Sequence, residues 1–354
     1  MNIGVRPLRD LDDARRVADL VYEAYGLTYH RAFLYEPREL LHLNASGNLH
    51  SWLAFSGDQL VGHLATIRPW FEIEEPGAEP PVLEVGLSIV ARASRHQGVQ
   101  TELSRVALRG TAERNEHFRG IYMKCVTTHT SSQQTAQHFG GRATALFPAG
   151  VPALVRNAPG APTTTILLHA PYGDHPMRTL HAAPEHAPML AEIYAGLSVR
   201  RELHLVRGAA APREGTRLRH WFDPARRQGL VWVKSAGADV VERVRAEVEW
   251  LRKGEMEHVT VLLPLDSPWA ALSAPMIEEL GLFCGGVIPD LGGVDTLVLQ
   301  QVVATEEQLG RIEVVGPDAA RLKEQVLAAW RRAAEWNAPL NIRPITPEHA
   351  LAAV

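Results

Sequence analysis

The stretch from Val85 to Gln100 reads as a seat for phosphate. Val85-Gly86-Leu87-Ser88-Ile89-Val90 is a strand-like apolar run, Ala91-Arg92-Ala93-Ser94 turns it, and Arg95-His96-Gln97-Gly98-Val99-Gln100 leads into a helical pattern. A strand that feeds a short basic turn and then opens a helix points several backbone N–H groups at one spot, where the helix dipole is positive. Phosphate binds such a spot through the main chain. At Gly98 a side chain would block that close approach. A second polar concentration, Thr127-Thr128-His129-Thr130-Ser131-Ser132-Gln133, follows a buried-strand pattern directly. His129 suits a proton relay, and Ser131 or Ser132 suits the cap of the helix that follows.

These residues need elements to place them. Ile3 to Pro7 reads as a strand, and Asp12 to Ala24 repeats Ala14, Val17, Ala18 and Val21 at helical spacing, with Gly26 beyond it. Pro37 to Leu43 reads as a short helix, Trp52–Phe55 and Leu60–Ile67 as strands around the hairpin signal Ser56-Gly57-Asp58-Gln59, and Glu72 to Pro81 as an acidic, proline-rich loop. Val82 to Val90 reads as the central strand. Gly98 to Arg114 reads as a helix, Gly120 to Val126 as a buried strand and Ser131 to His138 as a helix closed by Gly140-Gly141. The order predicts an α/β (α+β) fold with a mixed, partly antiparallel sheet flanked by helices on both faces.

The length of 354 residues predicts two domains. Asn157 to Thr165, rich in proline, glycine and threonine, reads as the linker between a domain at 1–156 and another at 166–340, with 341–354 as a tail. In the second half, Met177–His181, Gly229–Val233, Val259–Leu263 and Val294–Val302 read as strands. Pro184–Leu197, Ala238–Leu251, Trp269–Leu280 and Ala319–Glu335 read as helices, so the element order echoes the first half without a residue-level repeat. With 36 basic and 40 acidic residues the charge is −4, which argues against a dedicated nucleic-acid binder. No run approaches the roughly 18 apolar residues of a membrane span, and the first residues lack the design of a signal peptide. Cys125 and Cys284 stand far apart and the histidines are scattered, so neither a disulfide framework nor a metal site is expected, and the implied compartment is the cytoplasm.

The spacing Arg95-x-x-Gly98-x-Gln100 on a strand–turn–helix resembles the pyrophosphate loop of the GNAT acyltransferase superfamily, and the element order over about residues 1–150 is similar to that fold. The resemblance implies a cofactor, acetyl-CoA or another acyl-CoA. Ser88, Ile89 and Val90 would offer backbone N–H and C=O to the pantetheine arm as to an added strand, and Arg95, His96, Gln97, Gly98, Val99 and Gln100 would wrap the pyrophosphate. It implies Glu84 as base, directly or through water, with His129 and Ser132 beside the thioester for proton relay and thiolate protonation. Two departures stand out. Gln100 replaces a small residue, so its side chain would have to point away. Thr135 to Phe139 also lacks the tyrosine that usually serves as thiol acid, for which Tyr122 is a stand-in unless it packs.

Tyr25, Tyr29 and His30 follow the first helix, where the family builds acceptor pockets, while His63 reads better as a satisfied core histidine. The expected function is therefore an acyl-CoA-dependent N-acyltransferase, most simply an acetyltransferase, acting on a small-molecule or peptide amine. The alternative is a catalytically silent acyl-CoA-binding sensor or scaffold. The second half, a degenerate GNAT-like domain with no such loop at Val233-Lys234-Ser235-Ala236-Gly237-Ala238-Asp239, would wall the acceptor cleft or make a homo-oligomer interface.

Overall fold

A computed structural model of the protein describes residues 3–29, 31–69, 80–151 and 163–337. His30, the acidic loop at 72–79, most of the expected linker and all of the expected tail lie outside these. The chain runs β1 (Ile3–Pro7), α1 (Leu11–Tyr25), α2 (Pro37–Ala45), β2 (Leu49–Ser56), β3 (Gln59–Ile67), β4 (Val82–Val90), α3 (Val99–Arg114), β5 (Gly120–Val126), α4 (Ser131–His138), β6 (Arg142–Val151) and β7 (Thr163–Pro171). It continues through β8 (Arg178–Ala182), α5 (Ala187–Gly196), β9 (Arg201–Leu205), β10 (Arg217–Asp223), β11 (Gln228–Ser235), α6 (Val240–Lys253) and β12 (His258–Pro264). It ends with α7 (Pro268–Glu278), β13 (Phe283–Leu291), β14 (Val294–Val302), α8 (Glu306–Gly310) and α9 (Pro317–Asn337).

Twelve of the strands form one mixed sheet in the order β1-β2-β3-β4-β5-β7-β6-β13-β14-β12-β11-β10, and β8 and β9 pair separately. The order β3-β4-β5-β7-β6 recurs as β10-β11-β12-β14-β13, and in each set one pair alone, β4 with β5 and β11 with β12, is parallel. A helix joins the two parallel strands in both cases, α3 in the first set and α6 in the second. The two sets meet antiparallel at β6 and β13, where Gly286 lies opposite Ala145. A Cβ on Gly286 would stand 2.2 Å from the Thr144 carbonyl oxygen, so the seam closes only on glycine.

One expectation needs correcting. The sequence placed a linker at 157–165, but Thr163 already begins β7, which inserts between β5 and β6. By strand order the first unit therefore reaches Pro171 and not residue 156. A turn-rich composition misled because proline and glycine mark a hairpin connection as readily as a domain junction.

Alternation along the strands divides the core. Leu53, Ala65, Leu87 and Ile89 pack with Ala14, Val17 and Val21 of α1 and Leu40 of α2 on one face. Val61, Leu64, Val85 and Cys125 join Val99 and Leu103 of α3, Ala136 of α4, Val244 of α6 and Val326 of α9 on the other. The entry to α1 is fixed by charge. Asp10 caps the helix by accepting the Asp13 N–H at 2.9 Å, and Arg6 of β1 donates to both oxygens of buried Asp13 at 2.5 and 2.7 Å. The Arg6 guanidinium holds the Asp13 carboxyl below its ordinary range. Replacing Asp13 by alanine strands Arg6 and the Arg9 N–H that it also accepts. The expected cost is about 2–3 kcal/mol, read as a lower urea midpoint, and an unchanged midpoint would refute this account of how α1 is anchored.

Candidate functional site

β4 carries a bulge. Gly86 pairs with Ala65 and Ile89 with His63, so Leu87 and Ser88 together span one residue of β3, and Leu87 takes a left-handed φ of 52°. For a residue with a branched side chain that conformation costs on the order of 1–3 kcal/mol and persists only where neighbours impose it. His63 imposes it. Its ring is wholly buried, with Nδ1 2.8 Å from the Leu87 carbonyl oxygen and Nε2 3.0 Å from Ser51 Oγ. A carbonyl only accepts, so Nδ1 carries the proton and Nε2 accepts from the serine hydroxyl. Ser51 Oγ in turn accepts from Asn44 Nδ2 at 3.2 Å, and the Ser51 N–H donates to Asn44 Oδ1 at 2.7 Å. The relay runs from α2 across two strands to the bulge. His63 is thus the satisfied core histidine that its sequence context suggested.

Beyond the bulge the sheet opens. β4 and β5 pair only from Val82 to Glu84 against Gly120 to Tyr122, although β4 runs on to Val90 and β5 to Val126. Strand backbone without a ladder must find another partner or face solvent. In the second unit the corresponding ladder extends over Gln228 to Trp232 against His258 to Leu262.

The open end of β4 runs straight into the predicted phosphate loop. Arg92–Ser94 make a single 3-10 turn, Arg95, His96, Gln97 and Gly98 are exposed, and His96 has a φ of 62°. Gly98 is the N-cap of α3, left-handed with a φ of 79° and without a side-chain capping bond. A Cβ there would meet nothing within 4 Å. The position that a Gly98 side chain would take is therefore open space. Val99 is buried and could offer only its main chain. The Gln100 side chain is held between strand and helix: its amide oxygen accepts from the Ser88 hydroxyl on β4, and its Nε2 donates to Ser104 Oγ at 3.3 Å. The matching turn of the second unit is filled by the chain itself. A Cβ on Gly237 would lie 2.4 Å from the backbone of Glu214, Gly215 and Thr216, and the Thr216 N–H donates to Asp239 Oδ1 at 2.8 Å.

Glu84, the last residue of the parallel ladder, sits at the base of the opening. Its Oε2 accepts from Tyr122 Oη at 3.2 Å and lies 3.1 Å from Lys124 Nζ. Tyr122 is fully buried and Lys124 half-buried, both on the face of β5 that Glu84 shares. At and just after the end of α1, the Tyr25 and Tyr29 rings meet tilted at 44° with centroids 4.7 Å apart, and the Tyr29 N–H donates to Tyr35 Oη at 3.0 Å. Burial raises the Tyr29 hydroxyl, with the Glu84 carboxylate adding to it, and burial raises Tyr25 against the pull of the Arg95 guanidinium. The Glu84 and Arg95 charges therefore both act on this tyrosine pair.

The polar run after β5 is placed differently. His129 is exposed, and Thr130, not a serine, is the N-cap of α4. Ser132 faces the buried Cys125 thiol rather than Glu84. The organising residue is Gln133, which the sequence offered only as the last member of the polar run. Its amide donates to the carbonyls of Val126, His129 and Glu313, and its oxygen accepts the Val315 N–H at 3.1 Å. Lys124 was also passed over, although the alternation Tyr122-x-Lys124 on a strand next to Glu84 was the available signal. Among the described residues no group of three or more His, Cys, Asp or Glu could hold a metal ion, and no helix is long and apolar enough to cross a membrane.

Comparison with known proteins gives likeness in part of the chain. No protein-family model matches the sequence, and no curated protein does. Among solved structures, an acetyltransferase of the GNAT family from Streptococcus pneumoniae is 13% identical and covers 48% of this chain and 100% of its own, with a TM-score of 0.39. A GCN5-related N-acetyltransferase from Kribbella flavida is 21% identical and covers 48% of this chain and 98% of its own, with a TM-score of 0.36. Arabidopsis thaliana NAA60, in complex with acetyl-CoA, is 13% identical over the same shares, with a TM-score of 0.38.

Burial makes the site's scaffold sensitive to acid. It lowers His50, His63 and His258 from 6.5 to about 4 and His169 to about 3. These rings are neutral when folded and take protons on unfolding, so their contribution is intact above about pH 6.5 and is lost as pH falls toward 4. Each histidine adds a slope approaching about 1.4 kcal/mol per pH unit within that window. Urea unfolding from pH 7.5 to 4.5 should show a falling midpoint, and His63→Gln should flatten the fall by one histidine's share. A midpoint that does not move over this range contradicts the assignment.

Proposed function

We propose that the protein is an acyl-CoA-dependent N-acyltransferase of the GNAT type, transferring a short acyl group such as acetyl to a small-molecule or peptide amine. The observation that carries this reading is the opening of β4 from β5 immediately before an exposed, uncapped helix N-terminus. A slot lined by unpaired strand backbone takes an extended amide-bearing arm as an added strand, and the helix start beside it takes a diphosphate. Acyl-CoA joins those two chemistries in one molecule. The residues fit the group because nothing occupies the space above Gly98. The amides of Arg95 to Gln100 hold the pyrophosphate, and the backbone of Ser88 to Val90 holds the arm. An arm laid along β4 exchanges the Ser88–Gln100 bond for its own.

The thioester supplies an activated carbonyl. What the chain supplies is a base and a shape. Glu84, at the floor of the slot and only partly exposed, accepts the proton that the amine gives up. Lys124 and Tyr122 keep the carboxylate turned toward the opening. Tyr25, Tyr29 and Tyr35 bound the acceptor side. His129 at the exposed end of β5 and Ser132 against Cys125 take no part in this assignment. The second unit, its loop filled by residues 214–216, serves as a degenerate copy that binds no cofactor. Two buried unpaired thiols suit a reducing compartment such as the cytoplasm.

Two measurements test the reading. Titration with acetyl-CoA should give saturable heat and raise the melting temperature, because the ligand binds only the folded state. Gly98→Val, with a branched side chain in the open seat, should weaken affinity at least tenfold, and its left-handed backbone should cost the free protein on the order of 1–3 kcal/mol of stability, so affinity is read well below its melting temperature. A flat calorimetric trace for the wild-type chain would end the proposal. Glu84→Gln should retain that affinity and lower turnover with an amine panel by roughly 10²–10⁴-fold, the usual worth of a positioned base. Binding with no turnover by the wild-type chain on any amine would instead favour the silent sensor.

A further inference from the structure

The two units end differently. Beyond β3 the first unit adds β2 and β1, and Trp52 of β2 covers α3 so closely that a Cβ on Gly110 would stand 2.2 Å from its ring. Beyond β10, which corresponds to β3, the described sheet stops. The helix that corresponds to α3 is α6, and its Trp250 is left 47% exposed beside Phe222 of β10, itself 43% exposed. Their rings meet edge to face at 5.0 Å, with His220 at 5.3 Å from Trp250 and 3.0 Å from Glu247. β10 is only partly blunted as an edge strand: it carries Arg217, Arg219 and Asp223, and β11 bulges against it beside Arg217. It runs seven residues without proline, whereas β1 at the other edge is short, ends in Pro7 and has Arg6 tied to Asp13.

We propose that this edge is closed by a second copy of the chain, β10 against β10 in antiparallel register about His220. The sequence of the strand is complementary to itself in that register. Leu218 falls opposite Phe222 on the face that carries Trp250. On the other face Arg219 falls opposite Trp221, and Arg217 falls opposite Asp223, where it joins Arg226 on the carboxylate. Each contact occurs twice, as a two-fold interface requires, and the exposed aromatic pair of each copy is covered by the other. The result is one sheet continuous through both chains. This inference stands independently of the acyltransferase reading.

Sedimentation velocity of the full chain at micromolar concentration tests it. The wild type should sediment at twice the 39.0 kDa chain mass. Arg217→Asp, which sets two like pairs across the axis, and Trp250→Glu, which puts charge in the covered aromatic patch, should each give the monomer with an unchanged far-UV circular dichroism spectrum. Adding Asp223→Arg to Arg217→Asp should restore the dimer. A monomeric wild type overturns the proposal and leaves the edge for some other partner. A dimer that survives both single substitutions places the interface elsewhere and overturns it equally.

Discussion

One hydrogen bond, from a buried imidazole to the carbonyl of Leu87, sets the geometry on which the site depends. Without it a left-handed leucine in mid-strand would relax and β4 would regain regular pairing. Because His63 is neutral and held by Ser51 and Asn44 on its far side, the bond belongs to a relay anchored in α2, and the bulge is fixed from outside the strand that carries it. The bulge turns the rest of β4 so that its free edge diverges from β5. The same turn delivers the chain to the helix start at the right place for a long ligand to touch both. Fold and chemistry are coupled here through a single rotated peptide.

The second unit shows what happens when that coupling is absent. It keeps the strand order and the parallel pair, yet its ladder stays closed further along, and its turn is short enough for residues 214–216 to occupy it. Glutamate at the floor has no counterpart there either, since Trp232 and Leu262 close the ladder. The two units therefore share an architecture while only one has a slot. The difference lies in a few residues of loop and in the bulge, which in β4 puts Leu87 in a left-handed conformation and in β11 falls at Lys234 without one, not in the layers of the fold.

Much of this was legible from the residues. The strand–turn–helix at Val85 to Gln100 was readable because apolar alternation, a basic turn and a glycine sit in strict order, and the bulk of the helices followed from their spacing. β6 to β7 was misread because the signals of a hairpin connection and of a linker are the same amino acids. β9, β10 and β13 escaped because edge exposure in β10 and full burial in β13 both erase the alternation that marks a half-buried strand. Within the site, the loop was visible as types and spacing, and Glu84 through the family resemblance. Lys124 and the His63 relay were not, since cross-strand neighbours are set by register, and register is not written locally. Ser132 was read beside the thioester from the family resemblance, and its side chain meets the buried Cys125 thiol.

The seam between the units has a consequence for how the chain is made. β6 meets β13, and α9 lies across both. The first unit leaves the ribosome with the outer margin of β6 bare, and that margin stays uncovered until residues 283 to 337 have been synthesised and folded back. The nascent protein thus carries an adhesive border for more than a third of its translation. Its safe maturation depends on the last helix arriving before a neighbouring polypeptide does.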